Sequence, residues 1–201
     1  MATDFAIAAV CTAFAAVLER DAAGVLSARG LWASSFAFTA VAAVTGGVWH
    51  GLAVHLDPAA RRRVWKATQG AMGMTGLAIL AAGIVGFVGG PAVPWLLAGA
   101  VAKFAAYAAA MARRDDYGLV VIDYGISMIA LAALATLGWV RQGAAASPWL
   151  VAGVAVSAVG AAVQVKKVAP HRRFNHNDLY HIIQIVALYL FFRGGMLLVD
   201  A

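Results

Sequence analysis

Apolar residues run in seven long stretches, approximately 5–18, 31–56, 65–88, 93–112, 117–140, 149–165 and 179–199. At 1.5 Å per residue these suit a hydrocarbon layer of roughly 30 Å, the first being the shortest. Gly89-Gly90-Pro91 breaks the third stretch from the fourth, and Ser147-Pro148 opens the sixth. The linkers are short, so neighbouring helices are expected to pack antiparallel. The pattern predicts an all-α membrane protein. Residues 1–201 form one seven-transmembrane-helix bundle, with no room for a second domain.

Composition strengthens this reading. The chain is 63% hydrophobic and 12% charged, where a soluble domain carries roughly 25% charge and 45–50% apolar residues. In water such a chain would expose large apolar patches; lipid removes that difficulty. Cys11 is the one cysteine, which excludes an intrachain disulfide and CxxC chemistry. Asp4 stands where a secretory signal would carry positive charge, so the first stretch reads as a retained helix.

The net charge of +6 sits at segment ends, facing phospholipid headgroups, which argues for membrane lipids as partners and against nucleic acid. With the N-terminus inside, the inner loops hold Arg61, Arg62, Arg63, Lys66, Arg113, Arg114, Lys166, Lys167, Arg172 and Arg173. The outer side holds only Arg20, Arg29, Arg141 and Arg193. The bias predicts a cytoplasmic N-terminus and an outside C-terminus, in a multi-pass protein of a bacterial inner (plasma) membrane. Trp32, Trp49, Trp65, Trp95, Trp139 and Trp149 lie near segment ends and read as interface anchors.

Ionisable side chains inside a bilayer cost ~2.5–3.5 kcal/mol near a helix centre, so they form a short list of suspects. Here they are His50, Lys103, Asp123 and His181, with His55, His176 and Asp178 nearer the ends. His50, Asp123 and His181 each lie about six residues from the inner end of their helix, roughly 9 Å deep. A metal site or a general acid/base site within a bundle needs such a common level. His50 and His55 are about 140° apart around a helix and cannot share one ion. Asn177 and Asp178 share a face with His181, supplying an oxygen ligand or a partner for the imidazole. Lys103 is the natural counter-charge for Asp123.

Three stretches resemble the CREST superfamily of seven-helix membrane proteins, which includes the alkaline ceramidases, the progestin and adipoQ receptors and the hemolysin III-like proteins. Val48-Trp49-His50 looks like its Ser-x-x-x-His segment, and Asp123-Tyr124-Gly125-Ile126 like its Asp-containing helix. Asn177-Asp178-Leu179-Tyr180-His181 resembles the His-x-x-x-His motif of its last helix. The resemblance implies a zinc ion held by His50 and His181, with Asp123 orienting or deprotonating a bound water. The family's serine position falls on Gly46, with Thr45 the nearby hydroxyl, and its first histidine of the last motif falls on Asn177. Its Asp helix is the third, whereas Asp123 is on the fifth.

The function expected first is therefore a zinc-dependent membrane hydrolase acting on a lipid amide or ester near the cytoplasmic face. His50 and His181 would bind the metal, with Asn177, Asp178 or His176 as a further partner. Asp123 would take the proton, and Lys103 would stabilise the oxyanion or hold Asp123. The second expectation is a non-enzymatic lipid or small-molecule sensor, or an assembly partner, in which the His/Asp/Lys cluster is a structural network. A proton relay lacks ionisable residues at depth in the outer half. Bis-imidazole haem ligation by His50 and His181 would give a Soret band. The last stretch contains no Lys to form a Schiff base, which argues against a retinal protein.

Overall fold

A computed structural model describes residues 2–171 and 174–201; Arg172 and Arg173, counted above among the inner basic residues, lie outside them. Among the described residues there are seven α-helices: α1 (Ala2–Arg20), α2 (Ala28–Leu52), α3 (Pro58–Phe87), α4 (Val93–Arg113), α5 (Tyr117–Gln142), α6 (Ser147–Val165) and α7 (His176–Met196). All seven are long and apolar enough to cross a membrane. Short 3₁₀ turns follow α2 at Ala53–His55 and precede α4 at Gly90–Ala92.

Local chemistry sets the ends. Ser27, Asp57 and Asp116 accept hydrogen bonds from the backbone N–H groups of Gly30, Ala60 and Gly118, capping α2, α3 and α5. Pro58 occupies the first turn of α3, where its missing N–H costs nothing. Gly143 closes α5 at φ +63°, and the Gly143 and Ala144 amides return to the Trp139 and Gly138 carbonyls. Asp57 and Pro58 start α3 well before the apolar stretch at 65–88, so the Arg61–Arg63 run is helical. The first helix also reaches beyond 5–18 at both ends, and its first turn contains Asp4.

Neighbouring helices run α1–α2–α3–α5–α6–α7, and α7 closes back onto α1 and α2. The fourth helix packs outside this ring, against α3 and α5. One end of the bundle gathers the start of α1, the end of α2, the starts of α3, α5 and α7, and the ends of α4 and α6. It is the basic end, with Arg61–Arg63, Lys66, Arg113, Arg114, Lys166 and Lys167.

Large rings seated on glycines bring the helices close. Trp32 was expected as an interface anchor but is only 1% exposed. Its ring lies against Gly195, where an added Cβ would sit 2.3 Å from Trp32 Cδ1. Its Nε1 donates to the Phe191 carbonyl at 2.9 Å, so the indole is both packed and hydrogen-bonded within α2–α7. Trp95 and Trp139 are exposed. Trp49, Trp65 and Tyr117 stack at the basic end, with centroid separations of 5.0 and 5.6 Å.

Polar contacts tie α4 to the ring. Lys103 Nζ donates to Asp123 Oδ1 at 2.5 Å, with side chains 17% and 5% exposed. Tyr107 Oη donates to the Gln69 carbonyl at 2.7 Å. Lys66 Nζ reaches the Met111 carbonyl, and the Arg114 carbonyl at 3.1 Å. It also pairs with Asp115 at 2.6 Å, and this ammonium holds the exposed Asp115 carboxyl below the usual carboxylate range.

Two stability outcomes follow. Gly195→Val should cost about 1–3 kcal/mol through overpacking against Trp32, whereas Gly125→Ala, where a Cβ meets no atom within 4 Å, should be near neutral in detergent thermal melts. Lys103→Met should cost about 3–5 kcal/mol by stranding the Asp123 carboxylate, and Lys103→Met with Asp123→Leu should recover most of that loss.

Candidate functional site

At the basic end, α1, α2 and α7 enclose a polar pocket of about 290 Å³. Three short-range devices build it. The first turn of α1 carries Thr3 and Asp4, an acidic residue favoured near a helix N-terminus. The Gly46-Gly47 pair of α2 permits α1 to approach, since a Cβ on Gly47 would lie 3.1 Å from Asp4 Cβ. A capping box opens α7: Asn175 Oδ1 accepts from the Asn177 and Asp178 amides at 2.8 and 3.3 Å, and Asp178 Oδ2 accepts from the Asn175 amide at 3.2 Å. That box orients Asp178, and His181 follows on the same face of α7.

The centre of the pocket is a carboxylate between two imidazoles. Asp4 Oδ1 is 3.2 Å from His50 Nδ1 and 3.8 Å from His181 Nε2. The Asp4 and His181 side chains are 6% and 11% exposed, whereas His50 is 45% exposed and forms the open side. Thr3 Oγ1 lies 2.7 Å from His181 Nδ1 and donates to Asp178 Oδ1 at 3.4 Å. The direction of the Thr3–His181 bond follows the imidazole tautomer. When Nδ1 accepts from the Thr3 hydroxyl, Nε2 carries the proton and faces the Asp4 carboxylate as an N–H; when Nδ1 is protonated, it donates to Thr3.

The expected residues divide into two groups. His50 and His181 come together as the common depth implied, and Asp178 and Asn177 line the same pocket. Asn177 Oδ1 is engaged by Gln164 Nε2 of α6 at 2.6 Å. His176 opens α7 without lining the pocket, and Thr45 accepts instead from the Thr68 hydroxyl at 2.9 Å. Asp123 does not join the histidines. It pairs with Lys103 among α3, α4 and α5, beside Gly76 and Ser127. The physical reason is helix order: α5 packs on α3, α4 and α6, whereas the pocket is made by α1, α2 and α7. Equal depth places residues on a level without placing them on one side of the bundle.

Asp4 takes the place expected of Asp123, and sequence reasoning passed over it by starting the first segment at Phe5. A signal was present: an acid within the first turn of an apolar segment, at the level of both histidines. A Cβ on Gly46 would lie 3.8 Å from Asp4 Oδ1, so the carboxylate packs directly against α2.

The donor types around Asp4 are ones that a divalent metal takes. Two imidazole nitrogens and one carboxylate oxygen are the ligand types of a catalytic zinc centre with an open position. Ligands about 2.1 Å from a tetrahedral ion stand roughly 3.4 Å apart, a value bracketed by the 3.2 and 3.8 Å separations here. Among the described residues, no group of three or more His, Cys, Asp or Glu side chains is arranged so that it could hold a metal ion. Metal binding at the pocket would require His50, His181 and Asp4 to move, with His50 exchanging its direct contact with Asp4 for a shared ion.

No curated protein and no solved structure matches the chain. Residues 1–200 match the model of the family of unknown function DUF6962, and the chain belongs to that family.

Proposed function

We propose that the chain is a multi-pass membrane hydrolase, with a cytoplasmic N-terminus and an outside C-terminus, that cleaves an amide or ester of a lipid-like substrate. The asymmetry of basic residues supports this orientation and a bacterial plasma-membrane location. The observation that carries the chemistry is the approach of His181 Nε2 to Asp4 Oδ1 at 3.8 Å, with His50 Nδ1 on the same oxygen. His50, His181 and Asp4 would hold zinc. When bound, zinc lowers the pKa of a water toward ~7 and polarises the substrate carbonyl.

The chain's own residues supply the rest. Asp178 faces the pocket and replaces Asp123 as proton acceptor for the attacking water. The water oxygen bonds to the carbonyl carbon, the C–N or C–O bond breaks, and Asp178 returns the proton to the leaving nitrogen or oxygen. Thr3 holds the His181 ring in one orientation. His50, on the open side, borders the entry for a polar headgroup while the apolar tail remains in lipid. Lys103 and Asp123 stabilise the bundle and take no part in the reaction.

A second reading is favoured by the direct 3.2 Å contact of His50 with Asp4. In it the cluster is a hydrogen-bonded clamp joining α1, α2 and α7 in a sensor or assembly partner.

Metal analysis of the purified protein and hydrolysis of acyl-amide and acyl-ester lipids separate these readings. The hydrolase reading expects about one zinc per chain, lost in His50→Ala and His181→Ala together with activity. Thr3→Val should weaken metal retention by about 10–100-fold. No bound zinc, with hydrolysis untouched by either histidine substitution, would sink the proposal. The clamp reading instead expects Asp4→Asn to lower the melting temperature with no activity to lose.

A further inference from the structure

A second cavity lies at the basic end, well apart from the histidines. It is an open crevice of about 200 Å³ between α3 and the outlying α4. Gly70, Ala108 and Ala112 keep it hollow, and Phe104, Tyr107 and Met111 give it apolar walls. Lys66 stands at its edge, but its ammonium is already engaged by Asp115 and by the Met111 and Arg114 carbonyls.

Around that edge the charges do not balance. Arg62 and Arg63 lie one turn before Lys66 on α3, and Arg113 and Arg114 end α4. Asp115 pairs with Lys66 at 2.6 Å and with Arg62 at 3.5 Å. Among the described residues, Arg63, Arg113 and Arg114 have no carboxylate partner. Arg63 shares a face of α3 with Gly70, and the Arg114 carbonyl is held by Lys66 at the edge of the crevice. Two guanidinium groups without a carboxylate partner therefore start at the mouth of the apolar slot, whereas Arg113 lies on the far side of α4. Its complement is a molecule with a hydrocarbon chain and an anionic head.

We propose that the α3–α4 crevice binds an anionic phospholipid, one acyl chain lying between Gly70 and Ala108 and the phosphate held by Arg63 and Arg114. Guanidinium groups bind phosphate oxygens through charge-assisted hydrogen bonds. The position suits this ligand: the arginines stand at headgroup level if the seven helices span the bilayer. This inference rests on the multi-pass reading but is independent of zinc and of hydrolysis.

Gly70 provides the sharpest test, because a Cβ there meets no atom within 4 Å. Gly70→Leu would project into the crevice from a Cβ that meets no neighbour. The full chain, purified in mild detergent, is offered equal amounts of phosphatidylglycerol and phosphatidylcholine with the same acyl chains, and bound lipid is counted by native mass spectrometry. Phosphatidylglycerol should be retained in at least about fivefold excess. Arg63→Gln with Arg114→Gln should bring the two lipids to nearly equal retention, whereas Arg113→Gln should leave the preference in place. Gly70→Leu should lose the retained lipid while keeping the wild-type melting temperature. Equal retention of the two lipids by the wild type, or full retention by Gly70→Leu, would overturn the proposal. Recovery from carbonate-washed membranes runs alongside: a chain that washes off has failed the multi-pass reading itself, whereas one that stays and shows no preference has failed only the lipid site.

Discussion

An ionised group surrounded by apolar helices must find an opposite charge or a proton, and this constraint decides which helices of the bundle meet. It is satisfied twice. On one side Lys103 reaches from α4 to Asp123 on α5, at 2.5 Å, and fastens the outlying helix to the ring. On the other, Asp4 on α1 receives the imidazole of α2 and approaches that of α7. The first pair joins a lysine to one oxygen of its carboxylate, and the other, Asp123 Oδ2, is buried without a hydrogen-bond partner among the described residues. At the second, two imidazoles stand around one oxygen and His181 also contacts Thr3. One cluster thus sets a permanent cation against an acid, while the other surrounds an acid with titratable rings.

The helix count and most helix limits were legible from apolar runs and their Gly and Pro breaks. So was the level shared by His50 and His181, because rise per residue is fixed. What the chain order could not supply was the circular arrangement of helices. Asp123 has the right depth and the wrong side, since α5 is walled off from α1 and α2 by α3 on one flank and by α6 and α7 on the other. Asp4 was hidden for a different reason: hydropathy begins to count at Phe5, while the helix begins at Ala2. Trp32 misled through statistics, because an indole near a segment end usually meets the interface. Here Gly195 leaves a notch for it, and the Phe191 carbonyl takes its N–H.

The two cavities divide the basic end by chemistry. Thr3, Asp4, Asp178 and the two histidines give one a polar interior able to handle protons. Aromatic and small side chains give the other a hydrocarbon character under a cationic rim. Because α4 is outside the ring, the second cavity is formed by a helix that contributes nothing to the first. Changes in either can therefore arise without repacking the other.

The far end of α2 and α7 is bound by several independent contacts. Trp32 is seated on Gly195, Arg29 holds the Met196 carbonyl at 2.8 Å, and Asp200 takes the Ala28 amide at 2.7 Å. Among the described residues, no hydrogen bond joins α2 directly to α7 at the opposite end, where Asp4 stands between them. The pair consequently behaves as a lever with a fixed fulcrum. Over an arm of roughly 25–30 Å, a tilt of only about 3° shifts the distal tip by about 1.5 Å, enough to separate an imidazole from the carboxylate or bring it into ligand distance. Small angular compliance at one extremity thus translates into making or breaking the bonds at the other.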